Sequence, residues 1–105
     1  GCFFTFIVGY ESAAASAGTK KVVCADTTNE LIQGQVKTFD TDSSNTVAFF
    51  ASARSSNFSA FTFNGGTTGI PGSRITILAT ASDEWTIIES EVFCTGSPAT
   101  PMSTS

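Results

Sequence analysis

The sequence predicts an all-β fold, a small antiparallel sandwich or barrel, and three observations carry that prediction. Phe and Thr, which suit a pleated and half-buried surface, are abundant, with ten Phe among 105 residues. Lys, Arg, Glu and Leu, the helix-favouring set, are scarce. Short apolar or alternating runs recur along the chain, separated by clusters of Gly, Asn, Asp, Ser and Pro.

The runs take their places in order. CFFTFIVG (2–9) is rich in aromatic and β-branched residues and too short for a helix, so it reads as a strand covered on both faces. YESAAASAGT (10–19) is a small-residue loop ending at Gly18, and KKVVCA (20–25) is the second strand. LIQGQV (31–36) is a short strand in which Gly34 marks a bulge or tight bend. DTDSSN (40–45) is a turn by composition. TVAFFASA (46–53) and FSAFTF (58–63) are strands separated by SSN. NGGTTG (64–69) is a turn, because Asn and Gly tolerate positive φ, and Pro71-Gly72 is a second break.

SRITILAT (73–80) alternates, with Ile75, Ile77 and Ala79 on one face and Arg74, Thr76 and Leu78 on the other. WTIIESEVF (85–93) is its return strand. A loop at 81–84 sets Thr80 opposite Trp85, Leu78 opposite Ile87 and Arg74 opposite Glu91, a register that pairs apolar with apolar and cation with anion. Trp85 then reads as a core plug whose removal costs about 3–5 kcal/mol. TGSPATPMSTS (95–105) has two prolines and no periodicity. The expected organisation is one β domain over 1–94 and an extended C-terminal tail over 95–105.

A chain of 105 residues fits one small core. Only 13% of residues are charged and the net charge is −4, so the surface lacks the basic patches that attract nucleic acid or anionic membrane. No apolar run approaches the roughly 20 residues of a membrane-spanning helix. The chain opens on Gly1, with no basic stretch before an apolar one, so a signal peptide is not expected and the N-terminus reads as processed or partial. The three cysteines, Cys2, Cys24 and Cys94, are an odd count that argues against a secreted disulfide framework. Cys2 and Cys24 lie in runs that a hairpin would set face to face, so one pairing stays open beside the reading of all three as small buried apolar residues.

Nothing in the pattern points to catalysis. The absence of His removes the usual general base near neutral pH and the commonest metal ligand. Glu89 and Glu91 share a strand face and have the look of a paired-carboxylate site, but a solvated face partnered by Arg74 is the better reading. The glycine cluster lacks the Lys of a phosphate loop and is followed by a strand pattern, not a helix. Asp40, Asp42 and Ser44 alternate like the start of a calcium loop, but the sixth position is Asn45 and the twelfth Ala51 where Gly and Glu are needed. Asn57-Phe58-Ser59 is formally a glycosylation acceptor, relevant only in a eukaryotic secretory pathway. No catalytic, cofactor-binding or metal-ligating residue is assigned.

The aromatic surplus is the more telling feature. Adjacent residues of a strand point to opposite faces, so FF at 49–50 and FFTF at 3–6 put rings on both sides of their strands. Either the strands are covered twice or one face meets another subunit. The candidates for that contact are Phe3, Phe4, Phe49, Phe50 and Phe58.

The series IQGQV, DTDSSNTVAFFAS, FTFNGGTTGIPGSRITILATASDEW and TGSPATPMS resembles a family of tailed-bacteriophage virion proteins, described as head decoration, cement or head-fibre proteins. Members carry an Asp-x-Asp…NTV stretch, an NGxTTGG turn, a Gxx(I/V)xLxDxxxxxWxV hairpin and a TGxxATPFS ending. Residues 62–69, 72–78, 85–87 and 95–103 match these, and FTFIVG fits the family's first strand. Met102 stands where Phe is commoner, and GIPG replaces a plainer glycine pair. The resemblance covers roughly residues 30–105.

The resemblance implies a non-enzymatic part of the virion on the outer capsid surface, made in the host cytoplasm and often homotrimeric. Its partner would be the major capsid protein, bound where coat subunits meet. It makes the C-terminal segment a reaching arm, with Pro98, Pro101 and Met102 as its contact residues. It also fits reduced thiols. The alternatives are a head-fibre, tail or other virion component, or a non-viral carbohydrate-binding β-sandwich using Trp85 and Tyr10 as stacking platforms.

Overall fold

The computed structural model describes residues 2–9, 19–42 and 46–104. The small-residue loop with Tyr10, and residues 43–45 of the acidic turn, lie outside the described residues. The fold is all-β, an open two-sheet sandwich and not a closed barrel. Eight strands are described: β1 (Phe3–Ile7), β2 (Lys20–Val23), β3 (Leu31–Asp40), β4 (Val47–Ser52), β5 (Ala60–Phe63), β6 (Arg74–Ala81), β7 (Glu84–Cys94) and β8 (Met102–Ser103). A 3-10 turn covers Arg54–Ser56. A five-stranded sheet runs β1-β6-β7-β3-β4, and a three-stranded sheet runs β2-β5-β8.

The core lies between the sheets. Ile32 and Val36 of β3, Ile75 and Ile77 of β6, and Ile87 and Val92 of β7 meet Phe61 and Phe63 of β5 and Met102 of β8. Phe61 is fully buried and makes edge-to-face contacts with Phe6 and Phe63, at centroid distances of 5.5 and 5.6 Å. That geometry suits the ring quadrupoles.

The β6–β7 hairpin follows the sequence expectation at one end and departs from it in the middle. Arg74 faces Glu91 as expected, but Ile77 faces Ile87 and Ala79 faces Trp85. Two bulges account for the one-residue shift. Ile88 is the extra residue on β7, and Thr80 is the extra residue on β6. The connecting turn is only Ser82-Asp83, with Asp83 at φ 60°, a conformation Asp tolerates. The Ile88 bulge changes the parity of β7. Ile87 before it and Ser90 and Val92 after it are all buried, while Ile88 is 55% exposed.

The same bulge breaks the neighbouring ladder. β3 and β7 run parallel, an exception to the antiparallel expectation, and their register slips between Gly34 and Thr38. Gly34 sits at φ 121°, and a Cβ there would lie 3.0 Å from both Cβ and the carbonyl oxygen of Ile87. Only glycine allows that approach. The Ser90 hydroxyl fills the gap, accepting from the Lys37 N–H (3.0 Å) and donating to the Gln35 carbonyl (3.1 Å).

Further expectations change. β1 pairs with β6 and β2 with β5, so the runs carrying Cys2 and Cys24 belong to different sheets and do not form a hairpin. All three cysteines are free: Cys2 is exposed, Cys24 half-buried and Cys94 buried. Asp40, read as the start of a turn, is instead the buried last residue of β3. The C-terminal segment is also tied down. β8 pairs with β5, with Met102 opposite Phe61, and Thr62 N–H donates to the Pro101 carbonyl (2.8 Å).

Candidate interaction surface

The motifs that drew attention in the sequence converge on one structural unit. Asn64 organises the glycine-rich turn: its Oδ1 accepts from the N–H groups of Gly66 (2.8 Å) and Thr68 (3.0 Å), and its Nδ2 donates to Thr67 Oγ1 (3.0 Å). The Gly65 N–H closes the turn onto the Gly69 carbonyl (2.9 Å). Gly69, at φ 150°, lies under the Phe63 ring, and a Cβ there would come within 2.5 Å of Phe63 Cδ1. The outward carbonyls of Gly66 and Thr67 accept from the N–H groups of Thr95 (3.2 Å) and Ala99 (3.1 Å). NGGTTG and TGSPATP therefore latch to each other, and their polar groups are spent on backbone closure.

The carboxylates are similarly engaged. Arg74 reaches Glu89 (3.0 Å) and Glu91 (3.5 Å) on the outer face of the large sheet, an exposed cluster of small energetic weight. Asp40 accepts from the Asp42 N–H (2.9 Å), and Asp42 accepts from the Gly96 N–H (2.7 Å), pinning the segment after β7. Burial, and then the charges of Asp40 and Asp42, push the Cys94 thiol up from its ordinary value. Asp26 caps the 26–30 loop by accepting from Thr28 and Asn29 N–H and from Asn29 Nδ2, which holds its carboxyl below the ordinary range. Among the described residues no group of three or more potential ligands is arranged to hold a metal ion.

An apolar cleft of about 180 Å³ opens between the sheets, lined by Phe4, Phe6, Ile32, Ile77 and Trp85, with Cys24 and Glu30 among its remaining lining residues. Trp85 is half-buried here and rests against Phe4 at 5.8 Å between centroids. It packs on the core edge and does not plug the centre. Burial, and then the Glu30 charge, raise the Cys24 thiol, which disfavours the reactive thiolate. Of the two residues proposed as a sugar platform, Trp85 has Phe4 beside it and Tyr10 lies outside the described residues.

The interface candidates divide by exposure. Phe3 (64%), Phe49 (60%) and Phe4 (49%) are exposed, on the two outermost strands of the large sheet. Phe50 and Phe58 are half-buried and pack against the core. Pro98 is half-buried, while Pro101 and Met102 are buried and unavailable to a partner. Met102 serves as a core residue because a two-residue strand carries it inward, a strand too short for any periodicity to announce. Ile7 and Val47, exposed on the same strands, were missed by the sequence reading. Their parity with Phe3 and Phe49 was the signal available.

The surface thus assembled consists of two apolar sheet edges. β1 and β4 carry no charged residue and no proline. The edges of the small sheet differ: β2 begins with Lys20-Lys21, and β8 is only two residues long. Lysine and shortness are the ordinary protections of an open strand edge, and the large sheet has neither. The chain matches no protein-family model, no curated protein and no solved structure.

Proposed function

We propose that this chain is a virion structural protein that binds the outer surface of a tailed-bacteriophage head. It acts as a decoration or cement protein, made in the host cytoplasm and working as a homotrimer. The observation that carries the reading is the pair of apolar edges left unpaired among the described residues, with Phe3, Phe4, Ile7, Val47 and Phe49 exposed on a small and weakly charged domain. Such edges favour protein–protein contact over solution life as a monomer. The resemblance of the latched turn and C-terminal segment to head decoration proteins supplies the partner, the major capsid protein.

In this reading Pro101 and Met102, which are buried, are not contact residues, and the strand edges supply the contact between copies. Cementing follows from mass action: a protein that binds the assembled shell and not its loose subunits stabilises the shell.

The test is co-sedimentation with heads of the phage that encodes the chain, before and after shell expansion. Saturable binding to expanded heads, with a rise in their melting temperature, is expected. Heads that neither retain the protein nor change their melting temperature would overturn the proposal.

A further inference from the structure

We propose that copies of this chain join head to tail, with the β4 edge of one copy adding to the β1 edge of the next to give a continuous sheet across subunits. The inference specifies the self-contact in the reading above, and it stands or falls separately from what the assembly binds.

Backbone parity sets the geometry. Asp40 N–H donates to the Thr46 carbonyl, so β4 residues of even number bond to β3. The N–H and C=O groups of Val47, Phe49 and Ala51 therefore point away from the sheet. On β1, the Ala79 N–H donates to the Cys2 carbonyl and the Val8 N–H to the Ser73 carbonyl, so the even residues bond toward β6. Phe3, Thr5 and Ile7 turn their backbone groups outward. Among the described residues no strand pairs with either row. Each edge thus offers three residues with free donor and acceptor groups at alternate positions.

The two rows fit each other. β7 and β3 run in the direction of β1, and β4 runs opposite. A neighbour placed in the same orientation therefore presents β1 antiparallel to β4. The register that uses every free group sets Phe49 against Thr5, Val47 against Ile7, and Ala51 against Phe3 of the next copy. Large side chains then face small or β-branched ones, and no like charges oppose each other. The half-exposed Phe4 comes beside Phe50 on the inner face.

A second copy is the occupant that the edges themselves specify: two complementary rows on one molecule make a heterologous contact, which closes into a ring or extends. The exposed apolar side chains of the two strands present on the order of 500 Å². That apolar area is below the roughly 1,000 Å² of a stable specific interface, so each junction is weak and dissociates on dilution.

The test is light scattering on size-exclusion peaks for the full chain and two variants. Thr5 and Phe49 are both exposed, but the Thr5 hydroxyl shares a hydrogen bond with the buried Thr76 hydroxyl (2.8 Å). Circular dichroism and thermal unfolding therefore check the fold of each variant, and the two variants, which both lose that bond, are compared with each other. At the highest loading concentration wild type is expected as an oligomer larger than a dimer, and its mass should fall on dilution. Thr5→Lys with Phe49→Lys in one chain opposes lysines at every junction and should give monomer. Thr5→Glu with Phe49→Lys opposes unlike charges and should restore the oligomer. A monomeric wild type overturns the inference, as does failure of the Glu/Lys variant to reassemble. In two-fold β4–β4 pairing centred on Phe49, or β1–β1 pairing centred on Thr5, that residue meets its own copy, like charges oppose each other, and that variant would stay apart.

Discussion

Replacing Asn64 by alanine tests whether the glycine-rich turn is held by one side chain. The change removes the acceptor for two backbone N–H groups and the donor to Thr67 Oγ1. Thr68 is buried, so its N–H loses its partner with little access to water, at about 1–1.5 kcal/mol. The Gly66 N–H is more accessible and contributes about 0.5–1 kcal/mol. The exposed Thr67 contact adds little. The expected loss is about 2 kcal/mol, a drop in melting temperature of roughly 8–16 °C for a domain of this size. Asn64→Asp keeps the acceptor and forfeits only the exposed donor, so it should stay within about 0.5 kcal/mol of wild type. Urea unfolding followed by Trp85 fluorescence reads both, with unchanged slopes expected. A wild-type midpoint for Asn64→Ala, or equal losses for the two variants, would refute the reasoning.

Three further expectations follow from the same geometry. Thr38 is fully buried and its hydroxyl has no hydrogen-bond partner, so Thr38→Val should be neutral or stabilising by up to about 1 kcal/mol in denaturant titration. Trp85→Ala should cost about 2 kcal/mol, less than a central core ring would, because the indole is only half-buried; thermal unfolding monitored by circular dichroism measures it. Asp26 has a folded-state carboxyl below its unfolded value, so its contribution is present above the unfolded value and is lost as pH falls through the folded one. Wild type should therefore lose stability relative to Asp26→Asn in that acid window. Parallel acid profiles for the two proteins would contradict this.

The alternation in SRITILAT and the run-and-turn spacing made the sheet elements legible, because period-2 burial is written directly into side-chain order. The Arg74–Glu91 opposition was legible for the same reason. The Ile88 bulge was not: nothing in WTIIESEVF distinguishes Ile87 from Ile88, and the choice of which to bury is made by Ile77 across the ladder and Gly34 behind it. β3 was cut short at Val36 because its later inward positions are Thr38 and Asp40, polar residues that composition assigns to turns. β8 was invisible, since Pro101 and Met102 gain their places through Thr62 and Phe61, forty residues earlier in the chain. The exposed surface was half legible. Adjacent Phe pairs announced rings on both faces, but which ring stays exposed depends on strand order, and that places β1 and β4 at the rims.

The most direct test of the central claim is a density map of the intact phage particle by electron microscopy. The proposed function places this two-sheet domain on the outside of the shell where coat subunits meet, with β1 and β4 at the contacts between its own copies and the latched NGGTTG turn away from them. A particle whose exterior lacks the domain, or carries it through the small-sheet edges β2 and β8, would contradict the account.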